Sequence, residues 1–416
     1  MKKMSISVAL ILCACLSGNA QNKVMSLQQC LDMALNRNYQ VLAADKSVER
    51  AKALQGTAWD VDKTELALSQ DPSSGGNTDN ALSVSQSIEF PTLYVAQRRQ
   101  LKAETQMEQS KKNVVKQDVA FEVRSAYYHL VYEMECLHIM NRQDSILTHY
   151  KKMAQEKFKA GETRKLDLMA AERKHKDNKL EMATKMSDIE NAQLLLTSLL
   201  NSDVPVVPAD KSLKPLDLVQ KGFNYQQTAE GQLAQDKITV ADKAVSVAKN
   251  GYAPSLSLSL RNQLVISSWN PYHVDRSRFK EGNFFGFEVG VGIPLFYGAT
   301  KAKVRAAKKD REIAELEMKQ EQNDKQREYL SLLSRCNSAY ARLRYYQEEG
   351  GNQDRELERL SKLEYENGEI SYIEYITALD DCIDFHMKRA SAINEYNQSV
   401  LVLEKLMGDS SIDSPK

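Results

Sequence analysis

Phe285-Gly286-Phe287-Glu288-Val289-Gly290-Val291-Gly292-Ile293-Pro294 alternates a large apolar residue with a glycine or a glutamate and then stops at a proline. A period of two puts every large side chain on one face of an extended strand and every small one on the other. Leu256, Leu258 and Leu260 interleave with Ser255, Ser257 and Ser259 in the same way, and the turn-rich stretch Ser267 to Gly282, with Trp269, Pro271 and Tyr272, separates the two runs. A weaker copy lies upstream: Leu66 and Leu68, then Leu82, Val84 and Ile88 among Ser83, Ser85 and Ser87, divided by Asp71 to Asn80. The chain thus carries two hairpins, at about 63–90 and 254–294, of strands long enough to cross a bilayer when tilted. Four strands cannot close a barrel, and an open sheet edge in lipid leaves backbone groups without partners at several kcal/mol each. Several copies must share one barrel, and three would supply twelve strands.

The rest of the chain reads as helix. Val119, Val123, Ala126, Leu130, Met134 and Leu137 step by fours and threes along one apolar face. The segments from about Leu93 to Phe158 and from about Thr300 to Tyr365 contain no proline, and Gly350-Gly351 is their sole glycine interruption. At 1.5 Å per residue such a helix runs on the order of 100 Å, too long for a globular core, so its narrow stripe must be covered by neighbouring helices.

The halves repeat one another. Leu42-Ala43-Ala44-Asp45-Lys46 returns as Leu233-Ala234-Gln235-Asp236-Lys237, and Ser125-Ala126-Tyr127 as Ser338-Ala339-Tyr340. Phe158-Lys159-Ala160-Gly161-Glu162 returns as Tyr365-Glu366-Asn367-Gly368-Glu369. The division that follows is a first unit at 21–210, a second at 211–408 and a short tail at 409–416, each unit running helix, hairpin, long helix, glycine turn, return helix.

Lys2 and Lys3, an apolar run to Leu16 and Gly18-Asn19-Ala20 read as an export signal over 1–20, the run being too short to span a membrane. Leu12-Cys13-Ala14-Cys15 also approximates a lipoprotein box with Cys15 as the acylated residue, and both readings take the chain out of the cytoplasm. Lys+Arg and Asp+Glu are both 56, so no basic field points to nucleic acid. The content of 42% hydrophobic and 27% charged residues with little Gly or Pro suits long solvated helices better than a compact α/β enzyme. Cys30, Cys136, Cys336 and Cys382 lie far apart inside helical patterns and read as single buried thiols. No catalytic or phosphate-binding motif occurs, and His129, His138, His149, His175, His273 and His386 are scattered, so no catalytic residue, metal site or cofactor is expected.

With these parts in place, the chain resembles the TolC family of outer-membrane efflux proteins over essentially its mature length. The likeness rests on the double repeat and on the strand-to-helix junctions Ile88-Glu89-Phe90-Pro91 and Ile293-Pro294-Leu295-Phe296-Tyr297-Gly298. It rests also on the glycine-turn motifs Phe158 to Thr163 and Tyr365 to Ser371, and on the ending Asn397 to Gly408. Ser85 to Tyr94 and Gly368 to Tyr375 are most similar to members that serve heavy-metal pumps of the resistance-nodulation-division class.

The resemblance implies a mostly helical, homotrimeric protein: a long α-helical barrel in the periplasm continued into a trimer-shared, twelve-stranded β-barrel in outer-membrane lipid, with Pro91 and Pro294 ending strands. It further implies an exit duct for small solutes or metal cations delivered by an inner-membrane pump and a periplasmic adaptor. Gly161, Glu162, Thr163, Gly368, Glu369, Ile370 and Ser371 become the expected adaptor contacts. Asp167 and Glu374 become acids of a periplasmic gate; one turn beyond Glu374, where family members often have a second acid, this chain has Thr377. A periplasmic coiled-coil adaptor or structural spacer is the competing expectation, set against by two helical hairpins alternating with two strand pairs.

Overall fold

A computed structural model describes residues 23–71, 79–218, 222–264 and 284–408. The export segment with Cys13 and Cys15, the heart of each turn-rich stretch (with Trp269, Pro271, Tyr272 and His273) and the tail 409–416 lie outside the described residues.

A short strand, β1 (Lys23–Met25), leads into α1 (Leu27–Arg37) and α2 (Tyr39–Leu54). Ser26 opens α1 with a capping box, its hydroxyl accepting from Gln29 N–H while the Gln29 side chain accepts from Ser26 N–H. After a short 3₁₀ turn come β2 (Glu65–Asp71) and β3 (Asp79–Glu89), the long helix α3 (Pro91–Lys159) and its return α4 (Lys165–Leu199). The second half follows the same order: β4 (Val206–Pro208), α5 (Ala229–Lys249), β5 (Ser255–Leu264), β6 (Phe284–Gly292), α6 (Gly298–Gln347), α7 (Glu349–Glu366) and α8 (Tyr372–Met407).

Helix α3 has 69 residues, about 100 Å at 1.5 Å per residue. Its apolar face departs from the sequence expectation past Leu130. Val119, Val123, Ala126 and Leu130 are buried, but Met134 and Leu137 are only half-buried, and the stripe continues through Cys136, Met140, Leu147, Tyr150 and Ala154. The reason is that α3 serves two clusters. Its middle joins the main core with α1, α4, α6 and α8, and its far end joins a separate cluster with α4 and α8.

The glycine pair also acts differently from expectation. The long run breaks at Glu348, where φ −100° and ψ −94° are not helical, and Gly350 and Gly351 lie inside the first turn of α7. A Cβ on Gly350 would come within 3.0 Å of the Phe385 and Tyr345 rings, and one on Gly351 within 2.7 Å of the Tyr346 carbonyl oxygen. Close approach of α7 to its neighbours is what requires the pair.

Strands β1 and β4 pair in parallel and bind the first described residues to the segment that follows α4. Tyr127, fully buried, donates to Asp210 at 2.7 Å, and burial raises its pKa. Asn397 on α8 is wholly buried; its Oδ1 accepts from Leu216 N–H and its Nδ2 donates to the Lys214 carbonyl, both at 2.8 Å. That pair of bonds satisfies backbone groups of the linker that burial would otherwise strand.

All four described cysteines are free and buried, as the scattered spacing suggested. Burial pushes the thiol pKa of Cys30 and Cys136 to about 11 and of Cys382 to about 12, so they are inert rather than nucleophilic.

Candidate functional site: the sheet face and the helical tips

Strands β2, β3, β5 and β6 form one antiparallel sheet in that order. Its register sorts the side chains into rows. Leu66 pairs with Val84, Val84 with Leu260 and Leu260 with Phe287; Leu256 stands opposite both Ile88 and Val291. The adjacent rows join Ser85 to Ser259 and Ser259 to Glu288, and Ser87 to Ser257 and Ser257 to Gly290. One face is therefore largely apolar, interrupted by Gln86 and Asn262 along its length and by the Gln70–Asn80 pair at its end, and the other is mostly small or polar, with Glu288 and Arg261 among its serines, alanines and glycines. Among the described residues nothing covers the apolar face: Leu68 is 80% exposed and Phe287 73%. Small size on the opposite face is a steric matter, since a Cβ on Gly290 or Gly292 would come within 2.4 Å of the Ser257 or Ser255 hydroxyl.

Among the described residues no helix is long and apolar enough to cross a membrane. An uncovered apolar sheet face of this extent marks a surface built for lipid or for a partner, and among the described residues β2 and β6 each present a free edge.

Pro91 and Pro294 each stand two residues past the last strand residue, Glu89 and Gly292. The junctions are otherwise unequal. Pro91 is already the first residue of α3, where its missing N–H costs nothing, whereas five residues separate β6 from α6 and expose Leu295 and Phe296. The first junction is braced by the Tyr94 hydroxyl, which accepts from Glu89 N–H at 2.9 Å while Trp59 stacks on the Tyr94 ring.

At the opposite end of the long helices the two glycine turns have matching geometry. Gly161 has φ +77° and Gly368 φ +76°, the left-handed conformation in which a Cβ is costly. Around Gly161, Gly161 N–H donates to the Phe158 carbonyl at 3.1 Å and Glu162 N–H to the Lys157 carbonyl at 2.9 Å; around Gly368, Gly368 N–H donates to Tyr365 at 3.1 Å and Glu369 N–H to Glu364 at 2.8 Å. Both are complete Schellman motifs, closing the last carbonyls of one helix so that the chain can reverse.

The acids singled out as gate candidates both occupy the third position of the return helix. Glu374 accepts from Ser371 N–H at 2.7 Å while the Ser371 hydroxyl accepts from Glu374 N–H at 3.3 Å. Asp167 accepts from the Thr163 hydroxyl at 2.9 Å and from Arg164 N–H at 3.2 Å. These bonds lower both carboxyl pKa values, the Thr163 hydroxyl weighing most for Asp167 and the Ser371 N–H for Glu374. Thr377 is exposed one turn on, its hydroxyl donating to the Ile373 carbonyl at 2.9 Å. Glu162, Gly368, Glu369 and Ser371 are exposed, and Thr163 and Ile370 half-buried.

A tyrosine cluster that the sequence reading did not single out packs the second tip against α3. Tyr365 stacks on Tyr375 with centroids 4.8 Å apart, and Tyr372 touches Tyr365 at 5.4 Å and Tyr150 of α3 at 5.5 Å. The signal was present as Tyr365, Tyr372 and Tyr375 bracketing Gly368, but the contribution of Tyr150 needs the tertiary fold. Elsewhere the histidines pair locally: His129 with Glu133, His175 with Asp144 and His386 with Asp354, each at 3.6 Å. Among the described residues no three His, Cys, Asp or Glu side chains gather as a metal site would require.

Residues 232–409 match the family model of the outer membrane efflux protein, and that span holds β5, β6, the α6–α7 run, the second tip and α8. That match covers the second half of the chain, which is similar to the outer membrane efflux protein family. The efflux-protein fold extends over both halves. A structure of CusC superposes with a TM-score of 0.72 at 16% identity, covering 93% of each chain. The CmeC outer membrane channel of Campylobacter jejuni gives 0.67 at 18%, covering 92% of this chain and 85% of that one. The open state of the Neisseria gonorrhoeae MtrE outer membrane channel gives 0.71 at 17%, with 92% and 88% covered. By sequence, no curated protein matches the chain. The family match to the second half and the shared fold over both halves agree with the TolC-type resemblance rather than with the adaptor or spacer reading.

Proposed function

We propose that this chain is an outer membrane efflux protein that works as the passive exit duct of a tripartite system, three copies closing one twelve-stranded barrel in the outer membrane and one helical tunnel in the periplasm. The observation that carries this is the four-stranded sheet with an uncovered apolar face, two unpaired edges and a mostly small or polar opposite face, mounted on long helices of which α3 runs about 100 Å. Three copies would join β2 of one to β6 of the next, satisfying every edge and turning the serine and glycine rows toward a water-filled lumen. The units at 21–210 and 211–408, taken as an internal duplication, would give the ring its near-sixfold arrangement of helical hairpins.

The tips are the docking elements in this reading. Gly161, Glu162, Thr163, Gly368, Glu369, Ile370 and Ser371 meet the hairpin of a periplasmic adaptor that links the duct to an inner-membrane pump of the resistance-nodulation-division class. Asp167 and Glu374 line the periplasmic mouth, with Thr377 a turn behind, and favour cations over anions there. The chemistry of the cargo is small solutes or metal cations, passed without a cofactor.

Planar-bilayer recording with the detergent-purified chain tests the proposal. A pore whose cation preference falls in Glu374→Gln is expected; a protein that forms no conducting pore would overturn the duct.

A further inference from the structure

The two tips share a backbone but not a chemistry. From Lys157 to Asp167 the first carries Lys157, Lys159, Arg164 and Lys165 against Glu162 and Asp167; from Glu364 to Glu374 the second carries Glu364, Glu366, Glu369 and Glu374 with no basic residue. The nearest basic residue in sequence is Lys362, which also lines the cavity beside this tip and whose ammonium lies 3.9 Å from Glu366 with both side chains largely exposed.

A cavity of about 440 Å³ opens beside this acidic tip, between α3, α7 and α8, within the size range of small-molecule sites. Tyr365, Tyr372 and Tyr375 form its wall, Ile146 and Ile376 contribute apolar surface, and His149 lies edge-on to Tyr372 with centroids 6.3 Å apart. Tyr372 is only 8% exposed, and its buried hydroxyl has no hydrogen-bond partner. An orphaned hydroxyl at such depth is costly, and it lies in a residue that lines this cavity. Burial pushes the Tyr372 pKa to about 12, so the group stays a neutral donor and acceptor.

Tyrosine faces present negative charge to whatever sits over them, and Glu366 lies at the cavity with three further acids close by in sequence. The first tip carries Lys157, Lys159, Arg164 and Lys165 where the second carries this run of acids. We propose that the α7–α8 tip holds a binding site for lipophilic organic cations, with the Tyr365–Tyr375 stack as its cation-binding wall and Glu366 as its charge partner.

Calorimetric titration of the detergent-purified full chain with tetraphenylphosphonium tests it, with detergent alone as blank and neutral triphenylphosphine oxide as the uncharged comparison. Saturable binding of the cation is expected, with the neutral compound about tenfold weaker and Tyr375→Leu weakening the cation about fivefold to tenfold, the size of one lost cation–π contact. Equal binding of charged and neutral compounds, no binding of the cation, or full affinity in Tyr375→Leu would overturn it. Should Tyr375→Leu unfold the tip, Glu366→Gln on an exposed position gives the answer, and unchanged affinity there would equally overturn the site.

Discussion

Leu260 stands directly opposite Phe287 in the β5–β6 ladder, while one position along Ser259 stands opposite Glu288. The two pairs point to opposite faces of one sheet, so a single residue step separates a surface suited to hydrocarbon from one suited to water. If the sheet is the lipid-facing wall of a barrel, the two faces must answer charge differently.

Phe287→Arg should cut the amount of assembled protein in the outer membrane, at about 2–4 kcal/mol per charge near the bilayer midplane. Ser259→Arg, on the neighbouring row, should leave assembly intact and lower cation conductance. Membrane fractionation and single-channel recording on the two variants check the pair, and a soluble amphipathic sheet would show no such contrast.

Gly161 and Gly368 occupy left-handed backbone. Replacing either with alanine should destabilise its tip by about 1–2 kcal/mol, although a Cβ meets nothing within 4 Å at either site. The cost is conformational, not steric. Hydrogen exchange at Glu162 and Glu369 amides should rise in the matching variant, with the strands unaffected.

The fold's division of labour was largely legible before any coordinates. Alternation in Phe285 to Ile293 is visible because a strand with one wet face has to repeat every two residues, and the tips are visible because a left-handed turn selects glycine. What escaped depends on partners distant in sequence. Met134 and Leu137 belong to the apolar step pattern of α3, yet the helix changes neighbours there and buries Cys136 and Met140 instead. The tyrosine cavity joins α3 to residues more than two hundred positions away, which no local period encodes. The capping roles of Asp167 and Glu374 were within reach, since Ser371-x-x-Glu374 is a capping-box pattern, but the acids were read for their charge alone.

Those caps set a pH response. Both carboxyl groups have folded pKa values below the ordinary 3.8 and 4.5, so their stabilisation is complete above those values and disappears as pH falls through the lowered ones. Tip exchange rates in wild type should therefore climb only below about pH 4, and the unfolding of Ser371→Ala should show about 1 kcal/mol lost even at neutral pH. Acid melts followed by hydrogen exchange at the start of α8 check both.

Asn397 satisfies two linker backbone groups from a fully buried position. Asn397→Ala orphans Leu216 N–H and the Lys214 carbonyl and should cost about 2–4 kcal/mol, two buried bonds' worth. Limited proteolysis should then cut first in the segment between α4 and α5, and protection equal to wild type would remove Asn397 as its anchor.

The most direct test of the central claim is the mass of the detergent-solubilised full-length protein, measured by light scattering corrected for bound detergent. Three chains per particle, stable until the sheet edges are disrupted, is the predicted result. A monomer that remains dispersed in water with no detergent would contradict it, because a sheet with two free edges and an uncovered apolar face would then have needed neither lipid nor partners.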